Sequence, residues 1–242
     1  MGKLLLVGVC VSVALAFGGV LIPFYHYPAY NDAKVSRLVS LKRHFPNVEL
    51  FVIINPDNGY VKKRLYNFAF AIRRLHQAGI HPLGYVHTDY GKRPVKEIEA
   101  NIEAWSRIYG KWGIEGIFFD EVNGTKEQLE YYKPLASYVR GRFRYVILNP
   151  GTSIAPEFET LADIIVTNES NTTRHYCELN TTKNALLLHS TKELNLTQEV
   201  FGRYDFIYIT PQKLPNPWKE LSPYLEELIK RVAERKKEGC FN

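Results

Sequence analysis

The sequence predicts a single (β/α)8 barrel, and two patterns carry that prediction. Eight short apolar runs rich in β-branched and aromatic residues recur along the 242 residues. Most of these runs are continuous, as in parallel strands that are buried on both faces. Segments with a helical period separate them, and this alternation through eight units is typical of a (β/α)8 barrel. A doubly wound open sheet is the main alternative, but no glycine-rich phosphate-binding loop follows the first run.

Each predicted element has its own signal. The predicted strands are Leu21–Tyr27, Leu50–Pro56, Pro82–Thr88, Gly116–Val122, Tyr145–Pro150, Ile164–Glu169, Ala185–Ser190 and Phe206–Pro211. Apolar residues three and four apart predict helices within 61–75, 95–109 and 218–232. We expect Thr125 and Gln128 to form a capping box before the helix that follows the fourth strand. We expect Pro134 to kink or split that helix. The segment 153–161 has room for only one or two turns.

The composition is that of an ordinary globular protein. Hydrophobic residues make up 45% and charged residues 23%, which excludes a disordered or fibrous chain. The formal charge is +6, and the basic residues are scattered. The longest basic run, 231–237, is typical of the exposed face of a last helix, so we expect no nucleic-acid partner. Aromatic residues reach 13%, and such flat rings fill cores and also line sugar-binding clefts.

The N-terminus predicts export. Lys3 is followed by an uncharged run, Leu4–Ile22, and Ala14-Leu15-Ala16 offers a small-x-small cleavage site. We therefore expect residues 1–16 to be a signal peptide, residues 17–242 to form one barrel domain, and the protein to be secreted or held at the extracellular surface as a monomer. An uncleaved N-terminal anchor is the alternative, because the run is nearly long enough to span a bilayer.

Cysteines and glycosylation sequons agree with export without deciding it. Cys10 lies in the signal segment, and Cys177 and Cys240 either pair or remain free thiols. The sequons are at Asn123, Asn168, Asn171, Asn180 and Asn195, and a glycosylating compartment is needed to use them.

Polar and aromatic residues are concentrated at the predicted carboxyl ends of the strands, where active sites of this fold lie. The candidate substrate-binding residues are Tyr25, Tyr27, Asn55, Tyr85, His87, Asp89, Asn149, His189 and Thr210. Asn and Asp at such positions also form turns and helix caps. For Asp57 and Asp89 the turn or cap role therefore stays open beside binding.

Three carboxylates are the candidate catalytic residues. Asp120 and Glu121 directly follow an apolar run, and Glu169 closes the strand two further along. Buried carboxylates without a task are costly. Carboxylates that face each other across a barrel mouth suit glycoside hydrolysis, in which one protonates the leaving oxygen and the other attacks the anomeric carbon or activates water. We predict that this chemistry needs no metal and no cofactor.

Six segments resemble the spherulin-4-like (spherulation-specific) family. They are FYHYPAY, VIINPDNG, GYVHTDYG, GIFFDE, LNPGT and, in two parts, IYIT and PNPW. The resemblance runs from about Tyr25 to Leu228. It implies an exported (β/α)8 glycoside hydrolase, of the glycoside hydrolase family 135 type. Characterised fungal members cleave galactosaminogalactan within the chain at α-1,4-linked N-acetylgalactosamine.

The resemblance also carries over the acidic trio. The family's Asp-Glu pair matches Asp120 and Glu121, and its glutamate at the end of the sixth strand matches Glu169. Asn168 stands where the family often has an aromatic residue, and residues 58–61 depart from the common NPxxGPG pattern at one sugar subsite. A glycan on Asn168 would crowd the barrel mouth, so we expect it to be unmodified.

By analogy with other α-retaining barrels, we assign Asp120 as nucleophile and Glu169 as general acid/base, with Glu121 orienting or tuning them. A metal-dependent polysaccharide deacetylase is one alternative, because His26, His87 and His189 also end strands. Against it, the first strand lacks the HxH pair of many metal barrels. A non-catalytic cell-surface carbohydrate-binding barrel is the other alternative, and the complete acidic trio argues against it. A polysaccharide is the expected partner in each case.

Overall fold

The computed structural model describes residues 18–173, 179 and 183–238, and it confirms the (β/α)8 barrel. Eight parallel strands form a closed sheet in chain order. They are β1 (Gly19–Phe24), β2 (Glu49–Ile54), β3 (His81–His87), β4 (Gly116–Asp120), β5 (Tyr145–Leu148), β6 (Ile164–Ser170), β7 (Lys183–Leu188) and β8 (Phe206–Ile209). Seven predicted strands ran one to three residues past the observed carboxyl end. The reason is that the polar residues there leave the sheet to build the rim.

Helices surround the sheet unevenly. They are α1 (Ala33–His44), α2 (Tyr66–Gln77), α3 (Val95–Tyr109), α4 (Leu129–Arg140), α5 (Gln198–Arg203) and α6 (Leu225–Glu238). The predicted helix over 95–109 matches α3. The predicted helices over 61–75 and 218–232 begin too early, at residues that the structure leaves in loops. For α6 the cause is Pro223, which disfavours helical backbone at Ser222.

The expected capping box before α4 was wrong. Thr125 makes no side-chain cap bond, and a short 3-10 turn over Lys126–Gln128 precedes the helix instead. Pro134 does not split α4, which runs through it without interruption. Because proline has no N–H, the carbonyl of Glu130 one turn earlier has no helical donor. Both residues are exposed, so water can bond that carbonyl. After β5 there is only a 3-10 turn, Pro156–Thr160, as the short segment predicted.

Aromatic rings close the amino-terminal end of the barrel. The ring of Phe51 lies 4.7 Å from His81, 4.9 Å from Tyr145 and 5.3 Å from Phe206, measured between ring centroids. Above this layer the strands contribute fully buried aliphatic and aromatic side chains. Because the interior is packed, the polar groups of the sheet lie at its two ends, and the predicted site residues gather at the carboxyl end.

Several expectations fall outside the described residues. They include the signal segment 1–16 and Cys10, Cys177, Cys240 and Asn180. None of the helices in the described part of the chain has the length and apolar character required to cross a bilayer.

Candidate active site

A cavity of about 370 Å³ opens at the carboxyl ends of the strands. It is lined by Tyr25, Asn55, Asn58, Tyr85, Glu169, His189 and the segment Leu214–Trp218. Four of the nine predicted substrate-binding residues are among them. The lining therefore combines phenol, amide and imidazole groups with one carboxylate.

Asn149 joins two of the three predicted catalytic carboxylates. Its side-chain nitrogen donates to Oδ1 of Asp120 at 2.7 Å and to Oε2 of Glu169 at 2.6 Å. Because both distances start at one nitrogen, these two oxygens lie no more than their sum, 5.3 Å, apart. The structure thus brings the end of β4 and the end of β6 together through β5.

Asp120 accepts three hydrogen bonds. Besides the Asn149 amide, the Tyr85 hydroxyl donates to Oδ2 at 2.8 Å and the backbone N–H of Glu121 donates to Oδ1 at 2.9 Å. Glu121 has a φ of +54°, in the left-handed region, which is a strained conformation for a residue with a side chain. Burial raises the pKa of Asp120 above its ordinary value, and the three hydrogen bonds oppose that rise.

Glu169 accepts two hydrogen bonds, from Asn149 and from the indole N–H of Trp218, which donates to Oε1 at 3.1 Å. Burial, followed by the negative charge of Asp120, raises the pKa of Glu169 to about 7. Two close, buried carboxylates hold one proton between them near neutral pH. Since Asp120 has three donors and Glu169 two, we assign the charge to Asp120 and the proton to Glu169.

A bulge in β6 determines where Glu169 points. The pairing of β6 with β7 skips Thr167, between Val166 and Asn168. One extra residue reverses the alternation of side chains along a strand. The hydroxyl of Thr167 bonds the side chain of Asn184, which secures the bulge.

Two tyrosines enclose the carboxylate pair. The rings of Tyr25 and Tyr85 meet edge to face at 5.5 Å. Burial, followed by the charge of Asp120, raises the pKa of both phenols, so both remain protonated and able to donate. Gly59 permits the neighbouring turn to approach: its φ is +85°, and a Cβ there would lie 2.6 Å from the carbonyl oxygen of Tyr85.

The side chain of Glu121 differs from those of the pair in its contacts. Its carbonyl oxygen accepts from the Thr88 hydroxyl at 2.7 Å and from the Tyr90 N–H at 2.8 Å, which holds the left-handed turn. Among the described residues, no side chain donates a hydrogen bond to its half-buried carboxylate. Burial is the main cause of the raised pKa of Asp120, and the negative charge of Glu121 raises that pKa by a smaller amount.

Five predicted binding residues lie outside the cavity lining, and one of them is Asn149, which contacts the two carboxylates instead. Tyr27 is 60% exposed, and the ring of His87 contacts the carbonyl oxygen of Asn58 at 3.3 Å. Asp89 has a φ of +46° and opens a tight turn, which is the turn role left open above. Thr210 is fully buried and bonds the backbone of its own loop.

The sequence reasoning missed Trp218 and Asn58 as site residues. The helical period placed Trp218 on the last helix, whereas it lies in the loop before it. The signal that could have found it is the prolines at 211, 215 and 217, which exclude a helix there. Asn58 was interpreted as a turn residue and as part of the departure from the NPxxGPG pattern, not as a binding residue. Its φ of +52° agrees with a turn, and it also lines the cavity.

The three strand-end histidines have separate partners. His26 bonds the carboxylate of Asp32 at 2.8 Å, and His87 contacts the Asn58 carbonyl. His189 packs edge to face on Trp218, and burial lowers its pKa. Among the residues that the structure describes, no group of three His, Cys, Asp or Glu side chains is arranged to hold a metal ion.

Solved structures with the same fold include Sph3 of Aspergillus clavatus in complex with GalNAc. This chain superposes on it with a TM-score of 0.79 at 24% identity, covering 91% of this chain and 99% of that one. Mycobacterium tuberculosis tryptophan synthase gives a TM-score of 0.52 at 11% identity, covering 90% and 93%. Identities this low show the fold alone.

Sequence comparisons are more specific. Spherulin-4 of Physarum polycephalum is 32% identical over 135 residues, which is 54% of this chain and 39% of that protein. The match thus spans well under two thirds of the relative. The model of the spherulation-specific family 4 matches residues 19–232, from the first residue of β1 into α6. The chain therefore belongs to the spherulation-specific family 4.

Proposed function

We propose that this protein is an endo-acting glycoside hydrolase. It would cleave an amino-sugar-containing polysaccharide at internal α-1,4-linked N-acetylgalactosamine residues. The observation that carries the proposal is the buried pair of Asp120 and Glu169, joined by one amide and holding one proton. The complex of the structurally similar Sph3 with GalNAc supports the choice of sugar.

The arrangement accounts for both halves of a retaining reaction. Glu169 lines the cavity and donates its proton to the glycosidic oxygen, while the ionised Asp120 attacks the anomeric carbon and the leaving chain departs. Water then attacks the same carbon of the glycosyl–enzyme and releases Asp120, and Glu169 takes the proton from that water. The Tyr85 hydroxyl and the Asn149 amide stabilise the Asp120 charge before attack and after release.

Exposed tyrosines around the mouth support a polymeric substrate. Loops after the first three strands carry Tyr27, Tyr30, Tyr60 and Tyr90, which are 60%, 61%, 40% and 51% exposed. Flat rings with a polar tip can stack on sugar rings that lie beyond the cavity. Export of the chain, as the N-terminal segment predicts, would place these rings where polysaccharides occur, and we propose it on that ground.

The test is hydrolysis by purified protein. We expect it to release oligosaccharides from galactosaminogalactan or a related α-linked N-acetylgalactosamine polymer, in the presence of a chelator. Asp120→Asn and Glu169→Gln should each reduce release at least about 10³-fold. Glu193→Gln, the same change at an exposed site, serves as the matched control. Failure of the parent protein on every polymer would overturn the proposal. Polymer binding that survives the Asp120→Asn and Glu169→Gln changes, with no turnover by the parent protein, would indicate a binding protein.

A further inference from the structure

We propose that Asn149 is a positioning residue that holds Asp120 and Glu169 at a fixed separation and directs their shared proton to the cavity side of Glu169. Asn149 was predicted from the sequence to bind substrate, and its side chain is turned to the carboxylates instead. The catalytic meaning of this role rests on the proposed function, whereas the role itself can be tested without substrate.

The orientation of the amide is determined by chemistry. An amide nitrogen carries two hydrogens, and both are used, one on each carboxylate. The flipped amide would place its oxygen against the ionised Asp120 and would lose both donated bonds. In the observed orientation the buried Oδ1 has no hydrogen-bond partner within the described part of the chain. This unsatisfied acceptor is the cost of the double donation.

The donors also determine where the proton lies. On Glu169, Oε2 accepts from Asn149 and Oε1 accepts from Trp218. Neither donor can accept a proton in return. A proton on Glu169 must therefore occupy a lone pair that these two groups leave free, and Glu169 lines the cavity. A general acid needs its proton on that side.

Other groups face the pair without joining it in this way. Tyr25, directly after β1, and Tyr85 in β3 are phenols, and Tyr85 donates to Asp120. The charge of Glu121 raises the pKa of Asp120. Tyr90 is a phenol whose own pKa is raised by burial and then by the nearby carboxylates, and His189, directly after β7, lines the same cavity. Among these described neighbours, none donates to both carboxylates.

The experiment is a pH titration of intrinsic fluorescence without substrate. The indole of Trp218 donates to Glu169, so ionisation of Glu169 changes its emission. Glu169→Gln should remove the transition, which identifies the signal. Asn149→Ala removes a hydrogen bond that stabilises the ionised carboxylates of Asp120 and Glu169. The midpoint of the fluorescence transition should therefore rise by about one pH unit or more. Asn55→Ala is the matched control, because Asn55 lines the same cavity and bonds neither carboxylate.

An unchanged midpoint in Asn149→Ala, or an equal shift in Asn55→Ala, overturns the proposal. Circular dichroism verifies folding. If Asn149→Ala does not fold, Asn149→Ser takes its place: its single hydroxyl can donate to only one carboxylate, and the midpoint should still rise. With an active polymer substrate, Asn149→Ala should lower kcat with little change in KM, whereas Asn55→Ala should raise KM. A shifted midpoint in a protein that hydrolyses no polymer would uphold the positioning role and reject the proposed function.

Discussion

The indole N–H of Trp218 donates to Oε1 of Glu169 at 3.1 Å and joins residues 49 positions apart in the chain. The backbone of Trp218 also contacts the residue that follows β1, because the carbonyl oxygen of Trp218 accepts from the N–H of Tyr25 at 3.2 Å. Glu169, the proposed general acid, is thereby held by a segment outside the sheet.

Trp218→Phe keeps the aromatic ring and removes this donor. Hydrogen bonds to charged groups contribute about 1.5–3 kcal/mol, so we expect the ionised form of Glu169 to be less stable and its pKa to rise above about 7. The basic limb of the pH–rate profile should move to higher pH, with kcat about tenfold lower or more. Trp112→Phe is the control, since Trp112 packs on Phe70 away from the cavity. An unmoved basic limb would show that this bond does not tune the acid.

Glu169 should lower the stability of the fold at high pH. Its folded pKa of about 7 exceeds the unfolded value, so ionisation costs stability progressively as pH rises from about 4.5 to 7 and fully above 7. We expect Glu169→Gln to raise the free energy of unfolding above pH 7 by on the order of 2 kcal/mol, and to change it little near pH 4. Denaturant unfolding at both pH values measures this, with Glu193→Gln as control. Equal effects at the two pH values would contradict the raised pKa.

The stereochemistry of hydrolysis follows from the spacing of the pair. The two oxygens bound by Asn149 are at most 5.3 Å apart. Retaining enzymes have carboxyl groups about 5–5.5 Å apart, and inverting enzymes about 6.5–9.5 Å. We therefore expect the first-formed product to keep the substrate's anomeric configuration, as read by proton NMR during early turnover. An inverted product would reject Asp120 as nucleophile.

A second ionic cluster lies at the opposite end of the barrel. The ring of His81 bonds Glu115 at 2.8 Å and Glu49 at 2.9 Å, and Glu115 also bonds His76. Burial disfavours the charged imidazole, but the two carboxylates outweigh it and raise the pKa of His81 to about 9. The stabilisation is thus complete below the unfolded pKa of about 6.5 and is lost as pH rises through about 9.

His81→Gln should consequently destabilise the protein more near pH 6 than near pH 10, and denaturant unfolding at the two pH values gives the comparison. His44→Gln, at an exposed position, is the control. If the loss of stability in His81→Gln were the same at both pH values, the cluster would contribute through packing alone.

We predict that the sequon at Asn168 carries no glycan. Asn168 is fully buried, and its side chain bonds Ser170 and the carbonyl of Thr172. We expect peptide mapping of folded protein from a glycosylating host to find Asn168 unmodified. Asn171 and Asn195 are exposed sequons in the same chain and provide the internal comparison. High occupancy at Asn168 would contradict the placement of the site beside it.

The sequence alone determined the barrel, because its signal is local. Continuous apolar runs identify strands that are buried on both faces, and the alternation with helical periods leaves few topologies. Asp120, Glu121 and Glu169 could also be found in this way. Each carboxylate stands at the end of an apolar run, and this local pattern can be seen without knowing which residues meet in the fold. Strand starts were predicted within two residues for the same reason.

Only the tertiary structure decided which of these groups meet. The bulge at Thr167 turns Glu169, the left-handed backbone of Glu121 is held by Thr88 and Tyr90, and a loop carries Trp218 to Glu169. No local sequence pattern predicts these contacts. Each depends on hydrogen bonds between residues that are separated in the chain, and those bonds exist only when the sheet has closed.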